Sequence, residues 1–531
     1  MSAVKKIITI ITTTGFLLIL PAVFHAQVSV EWAVTYSGSA PETVDAAYAI
    51  VVDRVGNVYV TGGSGVALTE SDYATIKYNR YGDSLWVRRY NDSTQVFAGG
   101  GDIALDKWGN VYVTGVPFTI KYDSSSNLLW VTNNDVSNIR IALDDSGYVY
   151  VVGTKLREIY TTKLDTNGTI LWQARFEQLD PGGNEAYDMV LDPWGNVIVV
   201  GEMYVPGGNH YDYITLKYSP QGDTLWTRSY NGGGGPSVPL DIPHAVAVDA
   251  WGNIYVTGMS RGMGTGTDYL TIKYSADGDQ RWTARYNGPN NAGDSGCDIT
   301  VDSEGNVYVT GITDWYDYTT LKYDSTGILL WSATYPGSGP AWATIPPKIV
   351  LDTSGNIYVA VRGEDGQWNS DMAVVKYDPY GATIWVTTYP RPGAAEGTFD
   401  LAVDGAGNVY LTGTIGLSTL EYDYLTVKFS QEPLFIDKQE GSFPRAFKLY
   451  QNYPNPFNST TTIPFSIPIS THVRVQIFNI LGQEVVTLVN ERLPAGDYRI
   501  RWEAEHFPSG IYWYRLQAVG VSRSKKLLLI K

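Results

Sequence analysis

Apolar and polar positions alternate with a period of two, in short runs, along most of the chain. Gly, Asn, Asp or Pro interrupts each run. That spacing builds strands joined by tight turns. Beyond residue 26 no stretch sustains an apolar pattern of period 3.6, so helices are expected to be scarce.

The alternation is organised into repeats. A motif Asp-x-x-Gly-Asn-(Val/Ile)-Tyr-Val recurs with its aspartate at Asp53, Asp106, Asp144, Asp192, Asp249, Asp302, Asp352 and Asp404. A lysine-bearing run follows each motif ("DYATIKY", "DYITLKY"). In the first seven repeats a second turn and a tryptophan strand complete the unit ("GDSLWVRRY", "GILLWSATY"). We label the four strands of a repeat A to D, with A ending at the motif aspartate. The aspartate reads as a turn cap and the following glycine as the residue of positive φ that closes the hairpin. In the second turn of repeat 2 the glycine is missing, and Asn127 is expected to take the left-handed conformation. One four-stranded unit cannot bury both of its faces, whereas units stacked around an axis can, which predicts an eight-bladed β-propeller.

Tryptophan strands number one fewer than the motif aspartates, because repeat 8 stops after "DYLTVKF". The missing piece is at the N-terminus, where "VEWAVTY" around Trp32 matches "LWVRRY". The N-terminal strand is therefore expected to close the ring as the outer strand of the last blade. The units resemble the bacterial SBBP β-propeller repeat through "VDxxGNVYVTG" and "LWxxxY" over roughly residues 28–430. The resemblance implies a fold and leaves the function open.

Composition refines this picture. Aromatics make up 13% of the chain, with 39 Tyr and 16 Trp, a bias that suits strands. Lys5 and Lys6, an apolar run over residues 7–20 and Ala26 form the plan of a secretory signal peptide, expected over residues 1–26. The run is shorter than a bilayer span, and no other segment reads as transmembrane. Cys297 is the only cysteine, which excludes an intramolecular disulfide and reads as a structural thiol. Charge is split: residues 447–531 carry 10 Lys+Arg against 5 Asp+Glu, a net of +5, leaving −21 on the rest. So acidic a body repels phosphate backbones, and no nucleic-acid partner is expected.

After a linker expected over 431–446 come "FKLYQNYPNPFNSTTTIPFSIP", "VRVQIFNILGQEV", "LPAGDYRIRW", "FPSGIYWYRL" and "SRSKKLLLIK". Their alternation predicts a small immunoglobulin-like β-sandwich over 447–531. In this order the segments resemble the type A sorting domain of the type IX secretion system. The resemblance implies passage through the periplasm, an outer-membrane translocon and a sortase-like peptidase as partners, and release or attachment at the cell surface.

Candidate chemistry is sparse. Outside the signal the histidines are His210, His244, His472 and His506, and none forms a metal or nucleophile motif. No catalytic residue, metal ligand or cofactor is assigned. The A–B and C–D turns are short and share one face, whereas the B–C loops and D–A connections vary and share the other. Ligand contacts are therefore expected on the variable face at His210, His244, Trp315, Trp342 and Trp368, for a glycan or a protein. Trp108, Trp194 and Trp251 in the tight turns read as turn packing. The expectation is an exported binding or surface-scaffold protein. The alternative is a secreted propeller lyase or hydrolase acting on polysaccharide.

Overall fold

The computed structural model describes residues 28–531 apart from 39–42, 67–69, 92–98, 178–182, 207–209, 234–239, 263, 338–345, 365–369, 390–394, 417–420, 432–443, 445, 494 and 505–506. The expected signal peptide and most of the expected linker lie outside the described residues. Every regular element among those described is a strand. The strands fall into two compact units, one of them Val28–Glu432 and the other including Pro433–Lys531.

In the first unit, repeats 2 to 7 each form a separate four-stranded antiparallel sheet in the order A-B-C-D. Repeat 4 is typical, with strands Asn184–Leu191, Val197–Val205, His210–Tyr218 and Thr224–Tyr230. Buried clusters lie between successive sheets, as where Val200 and Tyr213 of repeat 4 meet Val256 and Ile272 of repeat 5. Faces packed on faces in sequence order make the architecture of a β-propeller. Repeat 8 supplies three strands of its own, ending in Tyr422–Gln431. Val28–Tyr36 pairs antiparallel with this last strand, Trp32 opposite Lys428 and Tyr36 opposite Tyr424. Gln431, expected in the linker, is the strand's final residue and pairs with Val28.

Each motif element has a visible task. Asp53 Oδ1 accepts the amides of Val55 and Asn57 at 3.0 and 2.8 Å, and Oδ2 accepts Asn57 Nδ2 at 2.7 Å. Gly56 closes the turn at φ 86°. In the glycine-less turn of repeat 2, Ser126 takes the positive φ of 73°, not Asn127. Asn127 instead donates its side-chain amide to Asp123, so its side chain braces the turn while the serine bends it.

The remaining motif residues join one repeat to the next. Trp172 Nε1 and Lys163 Nζ both donate to the Pro220 carbonyl in the C–D turn of the following repeat, each at 3.1 Å. Trp130 and Lys121 share the Thr166 carbonyl, Trp226 and Lys217 that of Ala276, and Trp331 and Lys322 that of Pro379. The lysine lies over the motif tyrosine, 4.8 Å from its centroid for Lys163 over Tyr150. That tyrosine's hydroxyl donates to the motif aspartate, as Tyr150 does to Asp144 at 3.2 Å. Repeat 4 tests the logic, because Ile198 stands where the tyrosine belongs. There Lys217 pairs directly with Asp192 at 2.9 Å, both side chains buried. Across the join from repeat 8 to repeat 1, Trp32 and Lys428 donate to the Arg80 carbonyl at 3.0 and 3.2 Å. The N-terminal strand thus makes the same bonds as an ordinary D strand.

In the second unit, Lys448–Leu449, Thr460–Ile467 and Gly496–Glu503 form one sheet. Glu484–Leu493, Thr471–Phe478, Gly510–Ala518 and Val521–Leu529 form another. Ile463, Phe465, Ile477, Trp502 and Tyr514 belong to one core that both sheets supply.

Candidate functional site

The inner A strands surround a cavity of about 440 Å³ lined by residues of seven repeats, among them Tyr48, Asp102, Arg140, Asp188, Asp298, Lys348 and Asp400. This central channel brings together six charged side chains: Asp102, Arg140, Asp188, Asp298, Lys348 and Asp400. Its geometry starts from a β-bulge. In every A strand whose pairing spans this level, one residue is skipped in the register: Tyr48, Gly101, Ile139, Tyr187, His244, Cys297 and Phe399. A bulge turns the following side chain away from the plain alternation of the strand.

The residue at that turned position lies four before the motif aspartate. It is Asp102, Asp188, Asp298 and Asp400 in the even repeats, and Ala49, Arg140, Ala245 and Lys348 in the odd ones. Each aspartate crosses to the next repeat. Asp102 Oδ2 accepts the Ile141 amide at 2.9 Å, Asp188 that of Val246 at 2.9 Å, Asp298 that of Ile349 at 3.0 Å, and Asp400 that of Ile50 at 2.9 Å. The other oxygen is also taken. Asp102, Asp298 and Asp400 accept the amide of their own following residue at 2.9–3.0 Å, and Asp188 accepts Arg140 Nε at 2.9 Å.

Removal from water disfavours these charges and raises three of the carboxyls. Burial pushes Asp400 up to about 6 against the opposing pull of Lys348 and two amides. Asp102 and Asp298 move in the same direction for the same reason. For Arg140, burial works against the charge, but Asp188 and Asp102 outweigh it and hold the guanidinium protonated.

The described sequence-chosen residues fall on three successive repeats, His210 on repeat 4, His244 on repeat 5 and Trp315 on repeat 6. His244 occupies the bulge of repeat 5, where Nδ1 lies 2.8 Å from the Gly296 carbonyl and burial lowers its pKa. His210 opens strand C of repeat 4, 3.3 Å from Asp212 and 3.1 Å from Asn231. Trp315 sits in the B–C turn of repeat 6 at φ 69°, its amide bonded to the Gly293 carbonyl at 3.0 Å. Its ring lies on Gly293, where an added methyl would stand 2.1 Å away. Trp342 and Trp368 lie outside the described residues. Cys297 is deep, and burial pushes its thiol up to about 12. Among the described residues no group of three or more His, Cys, Asp or Glu is placed to hold a metal. Sequence reasoning missed the channel aspartates. The signal for them was the alternation of acidic and non-acidic residues four positions before each motif aspartate.

No curated protein matches the chain. Among solved structures, the surface component PorZ of the Porphyromonas gingivalis type IX secretion system shares 15% identity at a TM-score of 0.40. That match covers 90% of this chain and 64% of PorZ. The WD40 domain of SCAP from fission yeast shares 10% identity at 0.43, covering 76% of this chain and 98% of that one. The extracellular domain of the two-component system BT4673 of Bacteroides thetaiotaomicron shares 9% at 0.30, covering 92% and 87%. Residues 451–531 match the family described as a secretion system C-terminal sorting domain. The C-terminal segment is therefore a type IX sorting domain, and the protein carrying it is exported to the outer membrane or cell surface.

Proposed function

We propose that the first unit is an eight-bladed propeller of SBBP type that serves as a non-catalytic binding or surface-scaffold module. One observation carries the reading: the four channel carboxylates each bind donors through both oxygens, and four of those donors are amides of the neighbouring repeat. A general acid or base must exchange its proton with a substrate, whereas these groups hold strands together. Incubating the full mature chain with a panel of polysaccharides, scored for retention and for new chain ends, tests the reading. Retention without cleavage is expected. Cleavage that disappears in Asp400→Asn would replace it with the lyase or hydrolase reading. The observation favouring that second reading is Asp400, held at about 6, within reach of proton transfer near neutrality.

The C-terminal unit acts as an immunoglobulin-like address read by an outer-membrane translocon and removed by a sortase-like peptidase, after a signal peptide over 1–26 has directed export. A chain lacking residues 447–531 is expected to keep the propeller's melting temperature and stay in the periplasm of a host with the secretion system. Undiminished surface delivery of the truncated chain would count against the address.

A further inference from the structure

The structure assigns a ligand surface to the tight-turn face: we infer that Trp108, Trp194 and Trp251 form an aromatic platform for a neutral polysaccharide. The inference rests on the binding reading above and places the ligand on the face opposite to His210 and Trp315.

The three tryptophans occupy the same position, two residues after the motif aspartate. At that position the eight repeats carry Val55, Trp108, Ser146, Trp194, Trp251, Glu304, Ser354 and Ala406. All eight backbones make the same bond, the amide to the aspartate Oδ1 at 2.8–3.0 Å. A turn that forms equally well with Ala406 or Ser354 does not need an indole, so turn packing does not account for the three tryptophans.

Nor are they buried. Trp108, Trp194 and Trp251 are 60%, 59% and 57% exposed, whereas the D-strand tryptophans are wedged between sheets. Most of those inner tryptophans spend the indole N–H on a neighbouring carbonyl, while the three outer ones have no hydrogen-bond partner among the described residues. Trp194 nevertheless leans on the turn glycine of the next repeat, where an added methyl at Gly252 would stand 2.1 Å from its ring, whereas Trp108 and Trp251 stand more loosely beside Gly147 and Gly305, at 3.7 and 3.6 Å from such a methyl. The ring of Trp194 is thereby supported on one side. Trp194 and Trp251 stand on adjacent repeats. Trp108 stands two repeats earlier, with Lys107 over its ring at 4.6 Å.

Separately exposed rings repeated around an arc suit a polymer that repeats. The apolar C–H faces of pyranose rings stack on indoles, and sugar hydroxyls accept the spare N–H. A protein partner would instead want its anchors in one desolvated apolar patch. Here the rings are set among polar turn residues such as Asp145, Ser146 and Glu304. The net charge of −21 outside residues 447–531 disfavours a polyanion.

Affinity electrophoresis of the full mature chain in gels containing hydroxyethylcellulose, xylan or mannan, with polygalacturonate as the anionic control, tests the platform. At least one neutral polymer is expected to retard the protein and polygalacturonate is not. Trp194→Ala/Trp251→Ala should weaken that retardation roughly tenfold or more, and Trp108→Ala less, with melting temperatures unchanged. Trp315→Ala should leave it intact. Undiminished retardation of the double variant overturns the platform while leaving the binding reading in place, and loss in Trp315→Ala moves the site to the variable face. Failure of every neutral polymer to retard the wild type, or retention by polygalacturonate alone, overturns the polysaccharide assignment. Cleavage of a retarding polymer would overturn the binding reading and leave the platform standing.

Discussion

The central channel and the tight-turn face use their chemistry in opposite ways. The channel concentrates Asp102, Asp188, Asp298 and Asp400, the residues a search for an active site would select first, yet each carboxylate is tied to neighbouring amides or to Arg140. The tight-turn face looks like plain scaffold in sequence, yet it carries three exposed indoles whose N–H groups have no partner among the described residues. Within the tight turns the side chain that caps the hairpin recurs in every unit, and the one the turn does not require appears in only some. The motif aspartate recurs in all eight repeats; the outer tryptophan occurs in three.

The comparison breaks most severely if the ring itself is opened. Deleting residues 28–36 removes Trp32 and uncovers the edge of Tyr422–Gln431. Loss of cooperative unfolding and aggregation in size-exclusion chromatography are expected; a monomer with an unchanged melt would show that closure is dispensable. Next in size is Asp400→Ala, which strands the amides of Ile50 and Leu401. About 1–3 kcal/mol per stranded amide is expected in denaturant unfolding. A loss below ~0.5 kcal/mol would mean that the bond across the join does little.

A smaller effect follows from pH. The folded value of Asp400, about 6, is above the unfolded carboxyl value of about 3.9. Its contribution to stability is therefore full below pH ~4 and lost as pH rises through about 6, a span on the order of 2–3 kcal/mol. Acidifying from pH 7 to 5 is expected to raise the melting temperature, with Asp102 and Asp298 shifting the same way. Asp400→Asn should shrink that rise, and an equal rise in the variant would remove Asp400 as its source. Smallest is Trp194→Ala, whose exposed ring should cost under ~0.5 kcal/mol, within the range of surface substitutions. A larger loss would return the indole to the scaffold.

Much of the fold was legible because its determinants are local. The aspartate cap, the turn glycine and the Trp32 match are read within a few residues, and the turn bonds and strand pairing follow them. The channel was not legible for a physical reason. Strict alternation misplaces every side chain beyond a bulge, and the skipped residue differs from repeat to repeat, from Tyr48 to Gly101 to His244. His210 and His244 were chosen for their expected place on the variable face, which says nothing of the Asp212 or Gly296 partner that occupies each. Two joins depart from the pattern for reasons visible only in space. Trp86 faces the Ser126 turn and Trp385 faces repeat 8, which lacks a C–D turn, and both indole N–H groups are buried with no acceptor among the described residues. At the second join the Gln431 side chain stands in for the missing turn carbonyl and accepts Lys376 Nζ at 2.8 Å.

The central claim is that the channel carboxylates are structural. Hydrogen exchange at the amides of Ile50, Ile141, Val246 and Ile349 tests it most directly, because each is the donor that an aspartate of the preceding repeat accepts. Exchange of all four only through global unfolding, at the rate of the core strand amides, is the predicted result. Fast exchange of these four in an otherwise protected ring would show the carboxylates unbound and available for chemistry, and would contradict the account.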